Sequence, residues 1–261
     1  MSVDPSIREL AENPNVYQPL SHGRDLVTDP AGRFALYLAA GTGPHSATVQ
    51  RVRLTEDQVV SAVEEIRALL RGRGRGGAEW ELGESCTPGD LIARLGALGI
   101  AADEDEPVAI GMAIEPGIDL AAPPGVVVRP VESIGELVVA RRIQHEAFGG
   151  SSEEVELGQA EADFASEGVC GSTFLAFLDA VPVAAGYASF TPLGLVLFGG
   201  ATLPAARGRG AYRALVAARL EEAERRGAPV LVTHAGHLSR PILERLGFTA
   251  VARIDRLLDV F

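Results

Sequence analysis

The stretch Leu195–Gly227, LVLFGGATLPAARGRGAYRALVAARLEEAERRG, constrains the fold more than any other part of the chain. Leu195 to Phe198 is an apolar run of strand length without helical period. Pro204 must end any ladder, because it has no N–H to give. After Arg207-Gly208-Arg209-Gly210 the spacing predicts a helix, with Tyr212, Leu215, Val216, Leu220 and Ala223 on one face. Glu221 with Arg225 and Glu222 with Arg226 are i,i+4 pairs near its end. Gly227 is its natural stop, with Pro229 just beyond. The order is strand, Gly/Arg loop, helix.

That order favours anion binding. The first turn of a helix offers free N–H groups and the positive end of the dipole, and glycines let a phosphate approach the backbone. Arg207 and Arg209 add fixed charge with paired donors. Two nucleotide readings fail. A P-loop needs Gly-Lys-Ser/Thr, and the chain contains no lysine. A dinucleotide fingerprint needs a third glycine where Arg213 stands. The plain alternative is a strand–turn–helix with solvated arginines.

Arg207-Gly208-Arg209-Gly210-Ala211-Tyr212 resembles the pyrophosphate loop of the GNAT N-acetyltransferase superfamily, Gln/Arg-x-x-Gly-x-Gly/Ala, with Tyr212 as the departure. LVLFGGATLP (Leu195 to Pro204) is similar to the family's fourth strand, whose backbone pairs with the pantetheine arm of acetyl-CoA. PVLVTHAG (Pro229 to Gly236) is similar to the fifth strand, which splays from the fourth to admit that arm. SRPILERLGF (Ser239 to Phe248) resembles the helix that follows. The resemblance covers Val126 to Phe261 and implies acetyl-CoA as co-substrate. It places the cofactor against Ala201, Thr202, Leu203, Arg207, Gly208, Arg209, Gly210, Ala211, Tyr212 and Ser239.

At 261 residues the chain has room for two domains. No apolar run is long enough to cross a bilayer, and the first residues lack a signal-peptide pattern, so a cytoplasmic location is expected. Cys86 and Cys170 have no metal or redox spacing, and no metal site is expected. The net charge of −12 repels nucleic acid and acidic membranes and suits a cationic amine. A homodimer is compatible with this reading and not required by it.

Along the chain, a polar, Pro-broken lead runs to about Pro30. Strands are expected at Arg33–Ala40 and Ala47–Leu54. Thr55 with Gln58 makes a capping box for a helix whose stripe is Val59, Val63, Ile66 and Leu70. Gly72, Gly74 and Gly77 match G-x-G-x-x-G by count but follow a helix, so they read as a turn. Ala78–Leu82 is a strand, Thr87, Pro88 and Asp90 start a helix over Gly89–Leu98, and Pro107–Glu115 is a strand. Glu115–Gly125 is the linker candidate. Val126–Arg129 opens the second half as a strand. Helices follow at Ser133–Phe148, with Ile134, Leu137, Val138, Arg141 and Ala147 near one side, and at Ser151–Glu167. Thr173–Leu178 and Val183–Phe190 form a hairpin.

The first half echoes the second: helix, glycine turn, strand, then LIARLGALGI against ILERLGF. The expected architecture is therefore α/β (α+β), a GNAT-type mixed, mostly antiparallel sheet flanked by helices. It is read as a tandem of a degenerate copy over 1–122 and an acetyl-CoA-binding copy over 123–261. In the first copy Thr55-Glu56-Asp57 opens the corresponding helix, and those carboxylates would repel a pyrophosphate.

The resemblance implies direct attack of an amine on the thioester. Position makes the N–H of Leu203 the oxyanion donor. His234 and Glu146 are the candidates for the base, with His145 and His237 nearby. The family's proton-donating tyrosine corresponds to Leu243, which cannot donate; Tyr187, Ser239 or a water would have to substitute. The expected function is transfer of an acetyl group from acetyl-CoA to a small-molecule or peptide amine. A non-catalytic acyl-CoA sensor is the alternative.

Overall fold

The computed structural model describes residues 4–118, 120, 123–149 and 157–261. These group into two compact units that interleave in sequence. Unit 1 is Met1–Met112 with Ala235–Arg240 and Ala250–Phe261; unit 2 is Ala113–His234 with Pro241–Thr249. The last strand of the chain thus groups with unit 1, although it falls in the second of the two halves expected from sequence.

Unit 1 begins with α1 (Pro5–Glu12), a helix inside the polar, Pro-broken lead. Asp4 caps it by accepting the Ser6 N–H, and Pro5 stands at the first helical position, where its missing donor is harmless. The proline that looked like a break is a start. β1 (Asp25–Thr28), β2 (Ala35–Leu38) and β3 (Ala47–Gln50) form an antiparallel meander. α2 (Val59–Arg71) then crosses to β4 (Gly77–Gly83), which runs parallel to β3.

The capping box at Thr55 and Gln58 is present in both directions. Val59, Val63, Ile66 and Leu70 are all buried, in one core with Phe34, Leu36, Val49 and Trp80. Losing an N-cap side chain typically costs about 1 kcal/mol. Thr55→Ala should therefore lower the unfolding free energy by about that amount in urea titration, with no effect on ligand binding.

α3 (Leu91–Ala97) starts at Asp90, which turns its carboxylate to Arg94 and makes no side-chain cap bond. β5 (Ala101–Ala102) and β6 (Val108–Ile114) follow. The final strand, β12 (Thr249–Val260), pairs antiparallel with β4, with Ile254 opposite Gly83 and Val260 opposite Gly77. Asp259, fully buried, takes the Arg67 guanidinium of α2 at 2.7 Å.

Unit 2 has the strand order β11-β10-β9-β8-β7. Its strands are β7 (Val126–Pro130), β8 (Gly171–Leu178), β9 (Val181–Thr191), β10 (Gly194–Thr202) and β11 (Leu231–Ala235). All neighbours are antiparallel except β10 and β11. Between β8 and β9, Leu178 pairs with Val181, so the turn is the two residues Asp179 and Ala180, both at positive φ. α4 (Ile134–Ala147) is capped by Ser133, whose Oγ accepts the Glu136 N–H. Its buried face is Leu137, Val138, Ala140 and Ile143; Ile134 is exposed and Arg141 pairs with Asp163, contrary to the expected face. Of the helix expected over 151–167, α5 (Leu157–Phe164) is seen, and 151–156 lie outside the described residues.

α6 (Ala211–Arg226) crosses from β10 to β11, and α7 (Arg240–Arg245) follows β11. Gly227 ends α6 at φ 66°, as its position predicts. Both Arg225 and Arg226 turn to Glu222, so the expected Glu221–Arg225 pair gives way to a shared carboxylate. Meander, crossover helix and parallel strand thus occur twice, as β3–α2–β4 and β10–α6–β11, which gives the sequence echo a structural counterpart.

Candidate functional site

The site is built where β10 and β11 part. Leu195, Val196 and Leu197 pair with Leu231, Val232 and Thr233, and no registered pair follows. Thr233 closes the fork by donating its hydroxyl to the Leu197 carbonyl at 3.0 Å. Beyond it β10 runs on to Thr202 with no strand registered on that edge among the described residues, which leaves room there for an extended ligand.

On its other edge β10 carries a bulge. Phe198 pairs with Tyr187 and Ala201 with Ala185, so Gly199 and Gly200 together face Gly186. Both bulge residues are glycine for a reason. Gly199 sits at φ 55°, and a Cβ there would lie 2.4 Å from Gln144 Nε2. Gln144, from the last turn of α4, donates to the Gly199 carbonyl at 2.8 Å. Against Gly200 lies the ring of Tyr212, 2.9 Å from where a Cβ would stand. The Tyr212 ring therefore packs inward as expected, and burial pushes its hydroxyl pKa up.

Past Thr202 a single 3₁₀ turn, Pro204–Ala206, leads into the Gly/Arg loop. Gly208 and Gly210 both have positive φ, at 77° and 86°. Gly210 is the N-cap of α6, no side chain caps the helix, and no acidic residue lies in its first turn. This start therefore presents orphan N–H donors and an unopposed dipole. Thr202 Oγ1, at the mouth of the fork, is buried with no hydrogen-bond partner among the described residues. Open strand edge, orphaned hydroxyl and uncapped helix start all fit an extended ligand ending in a phosphate.

Unit 1 treats the same positions in the opposite way. The chain after β3 is fastened: Arg51 N–H donates to Asn13 Oδ1, Thr87 N–H to the Val52 carbonyl, and Leu54 N–H to the Thr87 carbonyl. The α2 start is self-capped and carries Glu56 and Asp57. The donors that unit 2 leaves open are closed in unit 1.

The remaining sequence candidates are placed as follows. The Leu203 N–H donates to the Val183 carbonyl at 2.9 Å, and its side chain packs on the unit 2 core. It is a ladder donor and not the free oxyanion donor expected of it. Ala201 is buried between bulge and loop, and Ala211 is buried at the helix start. Arg207 leans on the Thr202 and Ala147 carbonyls, which ties the loop to the end of α4. Arg209 is exposed, 3.6 Å from Asp179.

His234 follows Thr233 at the fork. Glu146 is exposed two residues beyond Gln144, and residues at that spacing do not share a helix face. The structure brings Gln144 to the bulge instead of Glu146. The Tyr187 hydroxyl lies over Gly171 on β8, on the far side of β9 from the fork. Leu243 is fully buried in α7. Ser239 and His237 group with unit 1, where Ser239 bonds the Gly236 carbonyl and His237 stands 4.0 Å from Glu106.

One cluster in unit 1 has ligand-like composition: His45, Glu79 and Asp103, with ligand atoms within 4.8 Å of one another. Arg256 pairs with Glu79, and Asp103 accepts the N–H groups of Asp105 and Glu106. It is accounted for as an internal ion-pair network.

No family model and no curated protein matches the sequence. Solved structures match the fold over nearly the whole chain. A GCN5-related N-acetyltransferase from Kribbella flavida superposes with a TM-score of 0.68 at 22% identity, covering 99% of this chain and 96% of that one. A tandem GNAT protein from the clavulanic acid biosynthesis pathway gives 0.62 at 16% identity, covering 97% and 86%. A GCN5-related N-acetyltransferase from Sphaerobacter thermophilus gives 0.61 at 16%, covering 90% and 79%.

Proposed function

We propose that the chain transfers an acetyl group from acetyl-CoA to an amine on a small molecule or peptide, using unit 2 alone. The fold is that of GNAT acetyltransferase structures, including a tandem one. The observation that carries the reading is the open fork of β10 and β11 leading to a glycine-entered, uncapped helix start. An acyl-CoA meets it in order: thioester at the Gly199–Gly200 bulge, pantetheine along the free edge of β10, pyrophosphate at Gly208 to Ala211. Unit 1, with its fork fastened and its helix capped, shapes or supports.

The amine attacks as the free base. Its nitrogen lone pair forms the N–C bond, the C–S bond breaks, and that electron pair leaves on sulfur; the ammonium proton passes to His234 or to solvent. The binding experiment is calorimetry with acetyl-CoA. Arg209, exposed beside the helix start, would turn from Asp179 to the pyrophosphate. Losing one charge-assisted bond costs about 1.5–3 kcal/mol, so Arg209→Ala should weaken binding about tenfold or more. Equal affinity in wild type and Arg209→Ala would remove it from the site.

A thiol-release screen with acetyl-CoA against amines, aminoglycosides, amino acids and peptide N-termini tests the chemistry. Turnover with any acceptor establishes it. The second reading, an acyl-CoA sensor, is favoured by one observation, the buried Leu243 where the resemblance expects a proton donor. Tight binding without turnover in the wild type or in Leu243→Tyr would establish that reading instead.

A further inference from the structure

Arg219 lies in the middle of the buried face of α6 and is 1% exposed. Buried arginines are ordinarily paired with carboxylates. This one is not. Its Nε donates to the Leu215 carbonyl at 3.0 Å and its Nη1 to the Tyr187 carbonyl at 3.4 Å, while Nη2 has no acceptor among the described residues. Burial lowers its pKa to about 10, which still leaves the charge in place at neutral pH.

The room for this group is made by the site itself. A Cβ on Gly186 would stand 2.8 Å from Arg219 Nη1, and one on Gly200 would stand 3.4 Å from Nη2. These are the glycines that face each other across the bulge. Two missing side chains, one on each strand, form the slot that the guanidinium fills. A full positive charge is thereby held under the point where the reading above places the thioester, with no carboxylate paired to it among the described residues.

We propose that Arg219 is a positioning residue for acyl transfer: lodged between Gly186 and Gly200, it supplies positive potential to the sulfur that leaves as thiolate. This rests on the acyl-CoA reading of the site. It also answers the missing proton donor. Where Leu243 cannot protonate the leaving group, a fixed charge lowers the need for protonation: the amine forms the N–C bond, the C–S electron pair departs on sulfur, and the thiolate takes its proton from water afterwards.

The test is the ionisation of bound CoA, followed by thiolate ultraviolet absorbance against pH, in wild type, Arg219→Met and Arg219→Lys. Free CoA titrated in the same way gives the reference value. The wild type should hold the bound thiol below that value, and Arg219→Met should raise it by about one pH unit or more. Arg219→Lys, which keeps a charge, should retain part of the shift. Affinity for CoA at pH 6 should be unchanged and the melting temperature of Arg219→Met equal or higher. Turnover with an accepted amine should fall about tenfold or more.

Identical titrations in wild type and Arg219→Met overturn the proposal and leave the acyl-CoA reading intact. A marked fall in melting temperature in Arg219→Met also overturns it, since the residue is then a structural element only. Failure of the wild type to bind CoA overturns the reading of the site and this inference with it.

Discussion

Replacing Gly210 with valine is expected to abolish measurable acyl-CoA binding while most of the fold survives. Gly210 caps α6 at φ 86°, a conformation that costs an L-residue about 1–2 kcal/mol and a β-branched one more. Space is also lacking, since a Cβ there would come within 2.6 Å of Pro123 Cγ. Overpacking of that kind typically costs about 1–3 kcal/mol. The strain is relieved by moving the first turn of α6, and that movement re-aims the N–H groups on which phosphate binding depends. Together the two terms imply a loss of about 10²-fold or more in affinity.

Gly208→Ala supplies the contrast. Its φ is 77°, yet nothing lies within 4 Å of the added Cβ, so it should lose affinity only modestly. Calorimetry on both variants, with melting curves to confirm folding, decides the matter. Gly210→Val binding at wild-type affinity would place the anion site elsewhere.

What the sequence shows of this architecture is what local chemistry dictates. An apolar run, then glycines, then an amphipathic stripe is legible as strand, loop and helix, because each signal lies within a few residues of its effect. The capping box at Thr55 and the stop at Gly227 are of the same kind. The N-terminal lead reads as Pro-broken because its prolines are visible locally, yet Asp4 and Pro5 together start a helix.

Non-local choices were hidden. β12 pairs with β4 far back in the chain, and the Arg67–Asp259 pair that accompanies it joins residues 192 positions apart. Gln144 reaches Gly199 across 55 positions, so the bulge could not be located from either segment alone. Arg219 was hidden by its chemistry. It falls between Val216 and Leu220 on the apolar stripe, where an arginine is read as an interruption. Its clue is the glycine on each strand, Gly186 and Gly200, that makes its slot.

Calorimetric titration with acetyl-CoA should give one equivalent per chain, and the double variant Arg207→Glu, Arg209→Glu should give none. Two unit charges 5 Å apart interact by about 0.8 kcal/mol in water and about 3 kcal/mol at an effective dielectric of 20. Reversing two arginines beside a pyrophosphate changes the local charge by four units, so the loss exceeds about 3 kcal/mol, or 10²-fold, even with strong screening. Arg207 also braces the loop against the Thr202 and Ala147 carbonyls, and that support is lost as well. No second site should remain to report binding. In unit 1 Glu56 and Asp57 sit on the helix start, Thr55 and Gln58 satisfy its donors, and the bonds of Thr87 to Val52 and Leu54 fasten the chain after β3. Removing only the charges, with Glu56→Gln and Asp57→Asn, should leave the stoichiometry at one, because the cap and the fastened backbone persist. Two equivalents in the wild type would refute the inactive assignment of unit 1. Binding that survives in the double variant would refute the assignment of the pyrophosphate to the Gly/Arg loop.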